Sequence, residues 1–171
     1  MRRRKLQALT TGYAEMMKVF RDTLPCFPDG RIDYTFSVVA PVINCVVTFD
    51  SEVLLLQRSL HVAHHGGKWG GVTGFIDTDL PPRQIALKEV REEIGVESAD
   101  SLAIREFDPY LFQDDEAGKL WIVYPIVFAV ASRPRITLTW ENSDYRWVDR
   151  SAIACFDLLP GQDRMWAEVF G

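Results

Sequence analysis

Three glutamates, Glu89, Glu92 and Glu93, stand at relative positions 0, 3 and 4 within the string K-E-V-R-E-E-I-G-V, Lys88 to Val96. On an α-helix those positions share one face, about a turn apart. Carboxylates so placed repel each other, which costs helix stability unless a cation sits among them. Hard divalent ions take oxygen ligands and keep part of their shell for water and substrate phosphates. Such a face is a natural platform for a divalent cation carrying a polyphosphate. Taken alone, a solvated glutamate-rich helix is the commoner origin of the string.

The neighbouring residues say how the face is held. Apolar Ala86, Val90 and Ile94 recur every four positions and Leu87 widens the stripe, so the opposite side of the helix is buried. Gly95 suits a left-handed C-terminal position. Thr78 or Asp79 can cap the start, and Pro81 and Pro82 suit the first turn. The pattern predicts a helix over 81–94, led by the glycine-rich segment from Gly66 to Gly74.

With glycine, glutamates and aliphatic residues at these intervals, residues 74–96 resemble the Nudix box, G-x5-E-x7-R-E-U-x-E-E-x-G-U with U aliphatic. Gly74 opens it, and Glu89, Val90, Glu92, Glu93, Gly95 and Val96 fall in place without a gap. Leu80 stands where the box has its first glutamate and Lys88 where it has arginine. The resemblance implies that Glu89, Glu92 and Glu93 carry the metal, Mg2+ or Mn2+, and that a catalytic carboxylate, Glu92 or Glu93 of the box or else Glu141, orients and deprotonates the attacking water. It also implies that the two departing positions support the loop–helix geometry. Lysine lacks the bidentate fork of arginine, so that support is weaker here.

Other side chains are candidates with plainer readings beside them. Glu141 precedes the Arg146-Trp147-Val148 strand, an arrangement similar to a late Nudix segment whose glutamate reaches the metals. It is an expected extra ligand or water-activating base, against a solvated loop carboxylate. Asp114, Asp115 and Glu116 are a weaker source of that base, because acids in turns are routinely solvated. Arg58, ending a strand, and Lys68, in the glycine-rich loop, are expected to bind substrate phosphate; guanidinium matches phosphate oxygens. An ion pair within the chain is the alternative for both. Trp69 is expected to pack under the loop. His61, His64 and His65 read as loop residues, since a zinc site needs converging ligands and no cysteine is near. Lys88 is expected to neutralise the glutamates beside it.

At 171 residues, 47% apolar and 25% charged, the chain reads as one globular domain. Its net charge of −5 disfavours DNA and anionic membranes as partners. Cys26, Cys45 and Cys155 are odd in number and widely spaced, which reads as reduced thiols in a cytoplasmic protein. The basic start, Arg2 to Lys5, leads into a segment too polar for a signal peptide, and no stretch has the length of a membrane span. Leu6, Leu9, Tyr13, Met16, Met17 and Phe20 predict an amphipathic helix near 5–24, packed on the domain or on a second copy of the chain, so a homodimer is one arrangement allowed. Residues 1–35 form a helical extension in this reading and 36–171 the Nudix domain.

Strands are expected over 36–39, 42–49, 53–56, 102–107, 110–112, 121–131, 136–140 and 145–148, with a turn at 114–118. Pro125 should mark a bulge or an open edge. Ser151 is expected to cap a further helix, and 163–170 to form the last. The resemblance implies a Nudix-type α/β/α sandwich with a mixed sheet. It implies an enzyme, a pyrophosphohydrolase that cleaves a nucleoside diphosphate linked to another moiety with a divalent metal. Nucleoside triphosphates, dinucleoside polyphosphates, coenzyme A and capped RNA all remain open as the nucleotide-type substrate. The alternative is a ligand-binding or regulatory domain of low activity, which Leu80 and Lys88 motivate.

Overall fold

The computed structural model describes residues 2–97 and 100–171. Its centre is the strand β1, Val39–Phe49, which turns through Asp50 into the antiparallel β2, Glu52–Arg58. Asp50 takes a left-handed backbone (φ 51°), a conformation aspartate tolerates better than most residues. Two short strands follow, β3 (Trp69–Gly70) on β2 and β4 (Val72–Phe75) antiparallel to β1. On the other side of β1 runs β7, Lys119–Val130, parallel to it over ten paired positions from Val39↔Leu120 to Thr48↔Ala129. The strands β5 (Ser101–Glu106) and β6 (Tyr110–Asp114) cover the far edge of β7, and β8 (Asn142–Asp149) pairs with β2. The result is one mixed eight-stranded sheet.

Alternation along β1 divides its side chains between two cores. Ile43, Cys45 and Val47 face α2 (Pro82–Ile94), meeting Ile85, Ala86, Val90 and Ile94. Val46 faces the opposite way, towards α3 (Gln162–Phe170) and a 3-10 helix over Arg150–Cys155, where Val53, Leu55, Val148, Ile153, Met165 and Val169 close a second core. Helices on both faces of a mixed sheet make the expected α/β/α sandwich. Cys45 is enclosed, and its burial pushes the thiol well up; Cys26 and Cys155 are exposed and unbridged.

The leading helix, α1, covers Arg2–Thr23. Met17 is buried against the first core with Tyr13, Met16 and Phe20 around it, and Tyr13 meets the Tyr124 ring edge-on at 5.8 Å. Burying one such methionine contributes about 1.5–3 kcal/mol. The positions expected at Leu6 and Leu9 lie outside the described side chains. Among the described residues no helix is long and apolar enough to cross a membrane.

Five local expectations are corrected. The chain does not extend over 36–39; it turns, with Ser37 N–H donating to Tyr34 O, and leaves Phe36 92% exposed. Residues 136–140 form no ladder. Thr137 N–H instead donates to the Ile94 carbonyl at 3.0 Å, which satisfies the end of α2, while Ile136 and Leu138 pack on the core. The cap of α2 is Pro81, with no side-chain bond from Thr78 or Asp79. Asp149, not Ser151, caps the 3-10 helix, its carboxylate accepting from Ser151 N–H. Pro125, for its part, lies in an interior strand rather than at an open edge. Its carbonyl accepts from Phe107 at the junction where the chain leaves β5 for β6, so its missing donor falls between two ladders.

Candidate active site

A cavity of about 730 Å3 opens between the sheet and the loops around it, and Glu89, Glu93, Glu141, Lys88 and Arg58 all line it. Part of its floor is one face of the sheet. The register pairs Val42 with Phe75, Asn44 with Thr73, Tyr110 with Val123 and Phe112 with Trp121, and all eight side chains line the cavity.

The acidic end is set by α2. Gly95 ends the helix in a left-handed conformation (φ 74°), as its position in the string requires. Gly74 explains how Glu89 reaches the site: a Cβ at this position would stand 2.8 Å from Glu89 Cγ, so only glycine lets the glutamate lie along β4. Glu93 is 7% exposed and accepts a hydrogen bond from Asn142 Nδ2 at 3.0 Å. Burial, and then the negative charge of Glu141, push the Glu93 carboxyl up to about 8, against the opposing effects of Asn142 and Arg58. Burial also raises Glu89, opposed first by Lys88. Arg58 is shifted down by burial, although Glu141 and Glu93 work the other way. Its Nε donates to the His64 carbonyl.

Not every expected residue reaches the cavity. Glu92 does not line it; its side chain is 48% exposed and lies 3.4 Å from Lys88 Nζ, which is the same distance from Glu89. Lys88 thus bridges two box glutamates. Lys68, expected on substrate, is also outside the lining, with Nζ 2.6 Å from Asp157 Oδ1. Backbone bonds from Trp69 to Asp157 and from Leu159 to Trp69 bring that aspartate alongside. Trp69 packs edge-on against Phe156. Leu80 is 44% exposed and does not line the cavity.

The loop that should depend on the missing glutamate and arginine is secured by the N-terminal residues. Tyr13 Oη donates to Leu80 O at 2.6 Å, Arg21 pairs with Asp79 at 3.1 Å, and Arg31 pairs with Asp77 at 3.3 Å. Tyr34 Oη donates to Ile76 O at 2.9 Å within the buried interior. These ties fix the approach to α2 through residues outside the box.

Asp114 is engaged rather than free. It accepts from Trp121 Nε1 at 3.2 Å and from Ala117 N–H, and pairs with His65 Nε2 at 2.8 Å. Burial would raise its carboxyl, but these bonds together hold it below the usual range. His65, read from sequence as an ordinary loop residue, takes φ 58° with its side chain 8% exposed. Asn142 and His65 are the residues that sequence reasoning missed. Neither belongs to a periodic pattern, and only the fold brings them to the glutamates and to Asp114.

Among the described residues, no three His, Cys, Asp or Glu side chains converge tightly enough to hold an ion as they stand. The donor set nevertheless fits a hard cation. Glu89, Glu93 and Glu141 offer only carboxylate oxygens, and half-buried Glu89 and buried Glu93 carry shifts that a positive charge would relieve. One consequence is testable in the metal-free protein. Glu93 titrates higher when folded (about 8) than its ordinary value of 4.5. Its contribution is therefore fully present below about 4.5 and is lost as pH rises through about 8. Thermal melting without metal should show stability falling across that window, and Glu93→Gln should flatten the slope and melt above the unmodified protein at pH 9. Equal slopes would mean that Glu93 is not held protonated.

Residues 39–169 match the family model described as NUDIX domain. Over 131 residues the chain is 27% identical to a nucleoside triphosphatase, NudI, of Escherichia fergusonii, covering 71% of this chain and 87% of that one. It is 30% identical over 120 residues to a putative 8-oxo-dGTP diphosphatase of Mycobacterium tuberculosis, covering 70% of this chain and 54% of that protein, about half its length. Among solved structures, the NUDIX domain of Shewanella oneidensis NrtR complexed with ADP ribose superposes with a TM-score of 0.64 at 20% identity, covering 78% of this chain and 87% of that one.

Proposed function

The chain belongs to the NUDIX domain family and is a pyrophosphohydrolase; from that premise we propose that it hydrolyses a phosphoanhydride bond of a nucleoside diphosphate linked to another group, with Mg2+ or Mn2+. The observation that carries this reading is the meeting of Glu89, Glu93 and Glu141 in one cavity with Arg58. A divalent cation there would neutralise phosphate oxygens and lower the pKa of the attacking water.

The chain's own groups divide the rest of the work. Glu89 and Glu93 would hold the cation, with Glu92, paired with Lys88 here, the third box carboxylate able to ligate it. Asn142 fixes the Glu93 carboxylate by donating to Oε2. Glu141, on the loop before β8, orients the water and takes its proton. Arg58 steadies a phosphate; its partial burial strengthens the attraction by keeping water away. Lys68 has no part in this scheme, being spent on Asp157. In our reading, residues 1–35 are a helical extension that supports the box from outside it.

The low-activity alternative draws on Leu80 and Lys88. The bonds of Tyr13, Arg21 and Arg31 to that loop favour hydrolysis, because they supply rigidity that the departures remove. A panel of nucleoside triphosphates, dinucleoside polyphosphates, ADP-ribose, coenzyme A and capped RNA, assayed with Mg2+, Mn2+ or chelator, tests the proposal. Metal-dependent release of a phosphorylated product from at least one class is expected. Binding without turnover across the panel would favour the alternative.

A further inference from the structure

We propose that His65 is a positioning residue for Arg58: by binding Asp114 at the cavity wall, it holds the loop whose His64 carbonyl orients the Arg58 guanidinium for substrate phosphate. The phosphate contact itself rests on the reading of Arg58 given above.

Arg58 ends β2, and a loop over 59–68 leads from it to β3. The loop backbone is tied at both ends, where Ser59 N–H donates to Glu141 O at 2.7 Å and Gly67 N–H to Arg58 O at 2.9 Å. Between them Leu60, His61, Ala63 and His64 are exposed, so apolar burial does little to hold the middle of the loop. His65 supplies the tie. Its side chain is 8% exposed, and Nε2 lies 2.8 Å from Oδ2 of Asp114 at the end of β6. The Asp114 carboxyl is held below its ordinary range, so it is ionised at neutral pH and only accepts; Nε2 is the donor. Trp121 Nε1 and Ala117 N–H fix the same carboxylate, which makes the anchor rigid. Glu116 Oε2, from the same turn, lies 3.3 Å from the other ring nitrogen.

The backbone points the same way. His65 takes φ 58°, a left-handed conformation that suits glycine and strains most side chains. A side chain kept at such a position calls for a use, and the bond to Asp114 is one. The neighbouring His64 carbonyl accepts from Arg58 Nε at 3.2 Å. That bond leaves both terminal nitrogens of the guanidinium for a ligand, and these can grip a phosphate bidentately. A guanidinium already held at Nε loses less freedom when phosphate binds, so its anchoring should appear as affinity. Arg58, His64, His65 and Asp114 all line the cavity, and the chain of contacts runs along its wall.

The first measurement needs no substrate. Exchange of the Arg58 Nε proton with water is followed by NMR in the metal-free protein, and Arg58→Lys assigns the signal by removing it. His65→Asn tolerates the left-handed backbone, but its amide stops short of Asp114; it should speed this exchange about tenfold. His65→Gln, whose amide reaches the Nε2 position, should keep the rate within about threefold. The second measurement uses the substrate that the nucleotide panel identifies, with Mg2+. His65→Asn should raise KM about tenfold with kcat within about threefold, and His65→Gln should restore KM. In the Arg58→Lys background, where the Nε donor is gone, His65→Asn should add less than about twofold. If thermal melting shows His65→Asn to be unfolded, His65→Gly, which suits the same backbone, takes its place. Unchanged exchange on loss of the His65 side chain would overturn the proposal, as would losses that multiply in the double variant. If no member of the panel turns over, the functional reading fails, and proton exchange alone still decides whether His65 holds Arg58.

Discussion

Glu93→Gln should lower kcat by about 10²–10⁴-fold while leaving the fold intact. The amide is nearly isosteric with the acid, and its carbonyl can still accept the bond from Asn142 Nδ2 that Glu93 Oε2 accepts now. What the substitution removes is the anionic oxygen, and a neutral amide is a poorer ligand for a hard cation. The loss should therefore remain at saturating Mg2+ if Glu93 also shapes the reacting geometry, and recede with added metal if it only sets affinity. Steady-state kinetics over a metal titration, with circular dichroism as the fold control, make the measurement. A variant that turned over like the unmodified protein would remove Glu93 from the site.

For Glu141→Gln, the expected result is a fall in kcat of about 10²–10³-fold with little change in KM. Glu141 comes from the loop before β8, far from the box in sequence, yet its charge acts on both Glu93 and Glu89. Since Glu141 helps to raise the Glu93 carboxyl, its neutralisation should also shift the metal-free melting profile, moving the loss of stability to lower pH. This second readout separates two roles. A changed melting profile with unchanged turnover would mean that Glu141 neighbours the site but is not the base. Asp114, considered from sequence as another source of that base, is held by His65 and Trp121 and is poorly placed for the task.

Much of this site could be read before any coordinates. Glu89, Glu93, Gly74 and Gly95 sit in one unbroken local pattern, and local spacing on a helix translates directly into a shared face. The hairpin at Asp50 and the long strand near 121–131 were legible for similar reasons, because turn chemistry and β-rich runs are local signals. The failures come where tertiary partners decide. Ile136 to Trp140 alternate like a strand, but among the described residues no strand pairs with them; the end of α2 uses Thr137 instead. Lys68 has the charge to hold a phosphate, and nothing local reveals that Asp157 is folded against it. Glu92 shares the helix face with its neighbours in the ideal pattern, but Lys88 engages it outside the cavity.

The departures at Leu80 and Lys88 teach the same lesson from the other side. Read as a motif, they subtract two supports. In the fold, the loop is tied by Tyr13 from α1, by Arg21 and by Arg31, residues that lie before the sheet and outside the box. Asn142 and His65 could not have been singled out, because an isolated polar residue in a loop carries no signal until the structure shows what it touches.

The most direct test of the account is Mn2+ binding followed by the paramagnetic resonance of the free ion, comparing the unmodified chain with Glu89→Gln and Glu93→Gln. The site described here predicts that the unmodified protein removes free Mn2+ stoichiometrically at pH 8, that bound nucleotide tightens this binding, and that each substitution weakens it by about tenfold or more. Equal Mn2+ binding by all three proteins would contradict the claim that these carboxylates hold the metal.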